Sequence, residues 1–246
     1  MTANGLCYTM GNNTHGQLGI GEPYVEQKYS PVLVDTLLNF KPQSISCGKA
    51  HTLVATRVGD CFAWGLNENG QCGVGDVSIV FTPRSVNFDQ YYRANIRQVS
   101  AGTFHSTFVD DIGRLFVCGR GEKGQLGIGT VNDELVPYYI TRIPDKVTET
   151  AAGVEHTLVL TQKGEIYAMG SNRKGQLGTG APSKGCLLPT FLEELSFSRM
   201  VKVRAGSFSA ALSADGCLYV WGEGTFGNFY TPHRIKSAKT LDIADF

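Results

Sequence analysis

A tetrapeptide bracketed by glycines recurs along this chain, and its period limits what the chain can fold into. GQLG stands at Gly16–Gly19, Gly124–Gly127 and Gly175–Gly178, with the variant GQCG at Gly70–Gly73. A degenerate fifth copy, GNFY, begins at Gly227. The first glycines fall at 16, 70, 124, 175 and 227, giving steps of 54, 54, 51 and 52 residues. A second marker keeps step with it. It reads SCGKAHTLVATRVGD from Ser46, SAGTFHSTFVDDIGR from Ser100, AAGVEHTLVLTQKGE from Ala151 and RAGSFSAALSADGC from Arg204. A catalytic loop is needed once. A motif reused at a fixed period is a structural unit stacked against copies of itself.

Each unit reads as four strands. SISCG gives a short strand of small residues, and HTLVAT, HSTFVD and HTLVLT give a second, rich in β-branched and apolar residues. The turns RVGD, DIGR, QKGE and ADGC follow, each with a glycine where a hairpin wants positive φ. CFAWG, LFVCG, IYAMG and LYVWG form a third strand, and the GQxG loop comes next. The fourth strand is led by proline in PVLV, PRSV, PYYI, PTFL and PHRI. Proline cannot donate to a ladder, so this strand belongs at a sheet edge. No helical period intervenes. The pattern predicts an all-β chain of four-stranded antiparallel propeller blades, with copies at about residues 1–43, 44–97, 98–148, 149–201 and 202–246.

The unit SCGKAHTLVATRVGDCFAWGLNENGQCGVGD resembles the repeat of the regulator-of-chromosome-condensation (RCC) family. The Gly-x-x-His element, the aromatic-x-x-Gly element and GQLGxG occur in that family's order from about Gly5 to Phe246. The resemblance implies a seven-bladed β-propeller, of which this chain holds about five blades in a single RCC-like domain. Met1–Gly5 matches the end of a second strand, and LDIADF at the other end matches a first strand. Two readings follow. Either further blades lie in a longer parent chain, or LDIADF joins the first-blade strands LCYTMG and SPVLV and closes a five-bladed ring.

Composition removes several function classes. The chain has 246 residues, 42% hydrophobic and 18% charged, which suffices for a core and is too apolar for disorder. Lys plus Arg equals Asp plus Glu at 22 each, so no general nucleic-acid binder is expected. No run of 18 apolar residues suggests a membrane span, and the start, MTANGLCYTMGNN, lacks the charged and apolar regions of a secretory signal. Seven cysteines occur without a CxxC pair, which reads as reduced thiols of an intracellular protein.

Candidate chemistry is weighed against the repeat. His51, His105 and His156 recur at one blade position, with Ser209 in their place in the last copy. Equivalent positions in successive blades are displaced from one another, so the histidines read as buried imidazoles and not as a metal cluster. Cys47, Cys72, Cys118 and Cys217 fill slots where other copies carry apolar residues, and read as packing. GRGEKGQLGIG from Gly119 is glycine-rich, yet no GxxxxGK[ST] and no strand–loop–helix unit accompany it. No HExxH, GxSxG or EF-hand pattern appears. Catalytic residues, cofactor and metal are therefore all read as none.

The resemblance implies three functional branches. Plant ultraviolet photoreceptors of this fold use many tryptophans, and this chain has two, Trp64 and Trp221. The founding family member is an exchange factor for a small nuclear GTPase and docks on nucleosomes through basic surfaces and a basic tail. This chain has no basic tail and a pI near 6.9. The third branch is the non-enzymatic protein-interaction scaffold, and the sequence is read that way, with guanine-nucleotide exchange on a small GTPase as the alternative. The expected compartment is cytoplasmic or nuclear, with cilium or cytoskeleton association among those the resemblance implies. Candidate partner contacts are Tyr91 and Tyr92 in the long connection from Ser85, and Phe226, Phe229 and Tyr230 in the shortened last copy. The connection FLEELSFSRM from Phe191 is a further place for a partner.

Overall fold

Strands of six residues or so, set between tight glycine turns, account for nearly all of the regular structure. A computed structural model describes residues 1–2, 4–224 and 227–235. LDIADF, the strand the sequence offers for ring closure, lies outside them. The chain forms two compact units, Met1–Arg120 with Asp133–Tyr139, and Gly121–Asn132 with Ile140–Phe246.

The first unit holds three sheets. β1 (Tyr8–Asn12) and β2 (Gln27–Leu33) make a two-stranded sheet. β3 (Pro42–Cys47), β4 (His51–Thr56), β5 (Cys61–Gly65) and β6 (Val80–Ser85) form a four-stranded sheet in chain order. β7 (Ile96–Ala101), β8 (His105–Asp110), β9 (Leu115–Gly119) and β10 (Glu134–Ile140) form another. The second unit repeats the four-stranded order in β11 (Val147–Ala152), β12 (His156–Thr161), β13 (Ile166–Asn172) and β14 (Ser183–Phe191). Its other sheet comprises β15 (Met200–Ala205), β16 (Ser209–Ser213), β17 (Leu218–Gly224) and β18 (Gly227–Arg234). The strand pairings are antiparallel. The helical turns among the described residues are short 3-10 pieces at Asp35–Leu37 and Glu193–Leu195. This is the predicted blade architecture of a β-propeller.

The second strand of each blade is buried along its whole length, which is why β4, β8 and β12 read as unbroken apolar and β-branched runs. The prolines sit where a missing donor does least harm. Pro83, Pro137, Pro189 and Pro232 lie inside β6, β10, β14 and β18, which are edge strands, so each fourth strand begins a few residues before its proline. Within the first unit, Leu53, Trp64, Phe108 and Phe116 anchor the core. In the second, Leu158, Ile166, Val203 and Trp221 do so.

Candidate functional site

The repeated tetrapeptide turns out to be a clasp between one blade and the next. The Gln17 carbonyl accepts the Thr52 hydroxyl (3.0 Å) and the Trp64 indole N–H (2.9 Å). The Gln71 carbonyl accepts Ser106 Oγ (2.6 Å) and Cys118 Sγ (3.7 Å). In the second unit Gln125 accepts Thr157 Oγ1 (2.8 Å), and Gln176 accepts Ser209 Oγ (2.7 Å) and the Trp221 indole (2.9 Å). The glutamine side chain holds the loop itself. Its Oε1 accepts the backbone N–H two residues earlier in all four copies, from His15, Asn69, Lys123 and Lys174. The closing glycine lets the loop lie on its neighbour. A Cβ on Gly19, at φ +69°, would sit 2.7–2.8 Å from the Trp64 ring.

The histidines extend this clasp. Ser106 spends its one hydrogen on the Gln71 carbonyl, so its contact with His51 Nε2 at 3.0 Å must be a bond that the imidazole donates. His156 Nε2 meets Ser209 Oγ at 2.7 Å in the same arrangement, imidazole to hydroxyl to Gln176 carbonyl. Burial lowers the His51 pKa to about 3, assisted by the charge of His105, so the ring stays neutral. Burial raises the thiols of Cys61 and Cys118 and pushes Cys72 up to about 12, which removes thiolate nucleophilicity. Among the described residues no group of three or more His, Cys, Asp or Glu could hold a metal.

One alignment is corrected. Ser209 does not stand in the histidine's place. It faces Trp221 as Thr52 faces Trp64, and Phe208 occupies the histidine position. The cause is a turn shorter by one residue. Gly206 N–H bonds the Phe208 carbonyl, whereas Gly48, Gly102 and Gly153 reach His51, His105 and His156.

The candidate partner contacts divide by side-chain direction. Tyr91 is 86% exposed. Tyr92, its neighbour, packs edge-on against Phe116 (5.6 Å) and Tyr139 (5.3 Å), under the Arg114 guanidinium. Arg114 is itself fixed by the buried Asp110 at 2.6 Å and by the Tyr92 carbonyl at 2.6 Å. Phe229 stacks on His233 at 4.0 Å and packs against the second unit's core. Tyr230 lies over Gly175, whose Cβ would meet its ring at 2.5 Å. Phe226 lies outside the described residues. Each pair thus stays within its own unit.

Sequence reading did not single out Tyr24 or Tyr29, and it named the connection from Phe191 without singling out its exposed Phe197. Tyr24 (97% exposed) and Tyr29 follow the first GQLG; no other copy has a tyrosine at the Tyr24 position, while Tyr230 stands at that of Tyr29 in the last copy. Phe197 (69% exposed) stands at the rim of a cavity of about 260 Å³ lined also by Lys163, Phe191, Leu195 and Arg199.

Known proteins share this pattern. Residues 1–241 match the family model of the RCC1-like domain. The chain is 34% identical over 238 residues to the ultraviolet-B receptor UVR8 of Arabidopsis thaliana, covering 96% of this chain and 53% of that protein. It is 32% identical to the X-linked retinitis pigmentosa GTPase regulator of Homo sapiens, covering 96% of this chain and 29% of that one. The chain therefore spans about half or less of these curated relatives. The crystal structure of human WBSCR16 superposes with a TM-score of 0.82 at 25% identity, over 94% of this chain and 66% of that one. With the match running through the Gly-x-x-His and GQxG elements that build the clasp, this chain belongs to the RCC1-like domain family.

Proposed function

We propose that this chain is a non-enzymatic protein-interaction scaffold that binds its partner through the loops after each GQxG and the connections between blades. One observation carries the reading. The signature residues are consumed by the frame, in buried bonds from histidine to hydroxyl to glutamine carbonyl, while the large exposed aromatics sit in segments that differ between copies. A rigid frame with variable loops can change its contact chemistry without disturbing its packing. Tyr91, Tyr24 and Phe197 are the contacts this reading favours, and Tyr92, Phe229 and Tyr230 serve packing. The partner is a protein in a cytoplasmic or nuclear setting. No helix among the described residues is long and apolar enough to cross a membrane. Ultraviolet reception is not proposed, because each of the two tryptophans is used to hold a loop carbonyl.

A photo-crosslinking residue placed at 24, 91 or 197 tests the reading in native extract. A discrete protein adduct, displaced by excess unlabelled chain, is expected at one or more positions. Absence of any displaceable adduct would reject these surfaces. The second reading, guanine-nucleotide exchange, is favoured by the relative named as a GTPase regulator. Nucleotide release from loaded small GTPases measures it. Acceleration beyond about tenfold, a barrier change of about 1.4 kcal/mol, would replace the scaffold reading.

A further inference from the structure

The cavity beside Phe197 lies inside the second unit, between the turn that joins β12 to β13 and the connection from β14 to β15. Its floor is apolar. Ile166, Leu192 and Leu195 are each 2% exposed or less. Its volume of about 260 Å³ falls below the roughly 300–1,000 Å³ of small-molecule and cofactor sites. A space of that size takes one large apolar side chain.

Two other connections between blades are closed at the matching place. Phe40, before β3, packs edge-on against Phe62 at 4.7 Å, and Tyr92, before β7, against Phe116 at 5.6 Å. Both rings are half-buried. Phe197 meets the corresponding ring, Tyr219, at 5.9 Å, yet stays 69% exposed at the cavity mouth. Counted from the 3-10 turns Asp35–Leu37 and Glu193–Leu195, Ser198 stands where Phe40 does, so the ring here comes from one position earlier.

The mouth also carries an unanswered cation. The residue just before a first strand covers the turn glycine of the preceding sheet, as Asn95 covers Gly59 and Arg199 covers Gly164. Asn95 spends its amide on Asp111 at 2.6 Å. Arg199 rests its stem on Gly164 and reaches the Gln162 carbonyl at 3.5 Å, and among the described residues no carboxylate pairs with it. Arg84, Arg114 and Arg204 each hold an acid at 2.6–2.9 Å. Lys163 adds a second positive group, in the field of Asp145, which accepts its backbone N–H at 3.0 Å. The carboxylate that lines the cavity, Glu165, lies on the Tyr167 hydroxyl, where burial and then this acid raise the phenol's pKa. A guanidinium with unmet donors thus stands beside an apolar hole.

We infer that this cavity anchors a bulky apolar side chain of a partner protein, in an extended segment whose neighbouring residues are acidic. The side chain fills the space over Leu192 and Leu195 and against Phe197, and an adjacent carboxylate takes the Arg199 guanidinium as a forked pair. Successive residues stand about 3.8 Å apart, so the apolar group and the carboxylate can be neighbours in one segment. The inference rests on the scaffold reading and adds the chemistry of the partner at one of its surfaces.

The probe is a synthetic peptide, GSEDFEDSG, titrated into the isotope-labelled 246-residue chain and followed by amide chemical shifts. One anchored residue binds weakly, so saturation is expected at about millimolar peptide, with shifts confined to 163–167 and 191–199. Replacing the peptide phenylalanine by serine, or its acids by their amides, should weaken binding about tenfold. Arg199→Met keeps the stem on Gly164 and removes the charge, and it should weaken the acidic peptide by a similar factor, with Arg199→Lys recovering part of the loss. Equal binding of the amide peptide, or undiminished binding by Arg199→Met, overturns the inference. So do shifts centred elsewhere, or no saturation by about 10 mM. Shifts in 191–199 that follow protein concentration before peptide is added also overturn it, since a second copy would then be the occupant. Failure of the peptide alongside a displaceable adduct at 197 rejects the acidic, apolar anchor and keeps the scaffold reading. Absence of adducts at 24, 91 and 197 counts against that reading, whatever the peptide does.

Discussion

The sheets β1–β2 and β3–β6 carry the same repeat and differ in what lies beside them. In β3–β6 the third strand is flanked on both sides and Trp64 is buried beneath the loop Gly16–Gly19. In β1–β2 the residue at that position, Met10, faces a groove. The lesson is that a GQxG loop serves two blades. It is tied to the blade that encodes it by bonds such as Thr9 Oγ1 to the Leu18 carbonyl and Leu177 N–H to Asn172 Oδ1, and it stabilises the following one by giving a carbonyl to that blade's hydroxyl and indole. Repeat proteins gain stability from such interfaces between neighbours, so one sequence motif can be worth several kcal/mol or almost nothing according to its surroundings.

The largest effect that follows is a contrast at one repeat position. Trp64→Ala should destabilise the chain by about 3–5 kcal/mol, the usual cost of deleting a fully buried aromatic. Met10→Ala should change stability by less than about 0.5 kcal/mol, as exposed substitutions do. Denaturant midpoints of both variants measure it. Similar losses at the two positions would break the comparison, because Met10 would then be covered in solution.

The glycines sharpen it. Gly19→Val places a β-branched residue at positive φ, costing about 1–3 kcal/mol, and drives it into the Trp64 ring, adding about 1–3 kcal/mol of overpacking. Gly11→Ala incurs only the backbone cost, since its Cβ meets nothing. The expected outcome is a loss at Gly19 at least about twice that at Gly11. Equal losses would mean that the loop does not rest on the next blade.

Adjacent tyrosines give a smaller contrast. Tyr92→Ala should cost about 2–4 kcal/mol, because it empties the space between Phe116, Tyr139 and Arg114. Tyr91→Ala should be near neutral in thermal unfolding, and it should remove the crosslink at that surface. If Tyr91→Ala melts early, the exposed tyrosine is structural and the contact assignment falls.

Much of this fold was legible in the sequence, because glycine punctuation and strand period are local signals. The edge prolines and the unbroken second strands were readable for the same reason. The site was less so. Tyr91 and Tyr92 differ by which way a side chain turns out of one loop, and that is decided by Arg114, Phe116 and Tyr139, which are distant in sequence. Ser209 was misplaced because counting three residues from Gly206 assumes a turn of constant length, and a deletion inside that turn shows only in the pairing of Ser209 with Trp221. Tyr24 escaped notice, and Phe197 was not picked out of the connection from Phe191, because exposure is a property of the packed chain and not of the residue.

The smallest effect concerns protons, and it tests whether the histidine belongs to the frame. Free histidine binds a proton near pH 6.5, while His51 in the folded chain does so only at about 3. Between these values the unfolded chain holds more protons than the folded one, so stability rises with pH. The contribution is therefore complete above about pH 6.5 and is lost progressively as the pH falls towards 3. The slope for one such group is about 1.4 kcal/mol per pH unit. His51→Gln keeps an N–H that can serve Ser106 and removes the titration. At pH 7.5 the variant should lose about 1–3 kcal/mol, from imperfect replacement of a buried bond. The gap between wild type and variant should then narrow as the solution is acidified below pH 6.5, because only the wild type has the buried His51 imidazole to protonate. Urea midpoints across that range measure the gap. Parallel curves would mean that His51 is hydrated or charged in the folded chain, and the bond chain from imidazole through Ser106 to the Gln71 carbonyl would no longer explain why histidine recurs in the repeat.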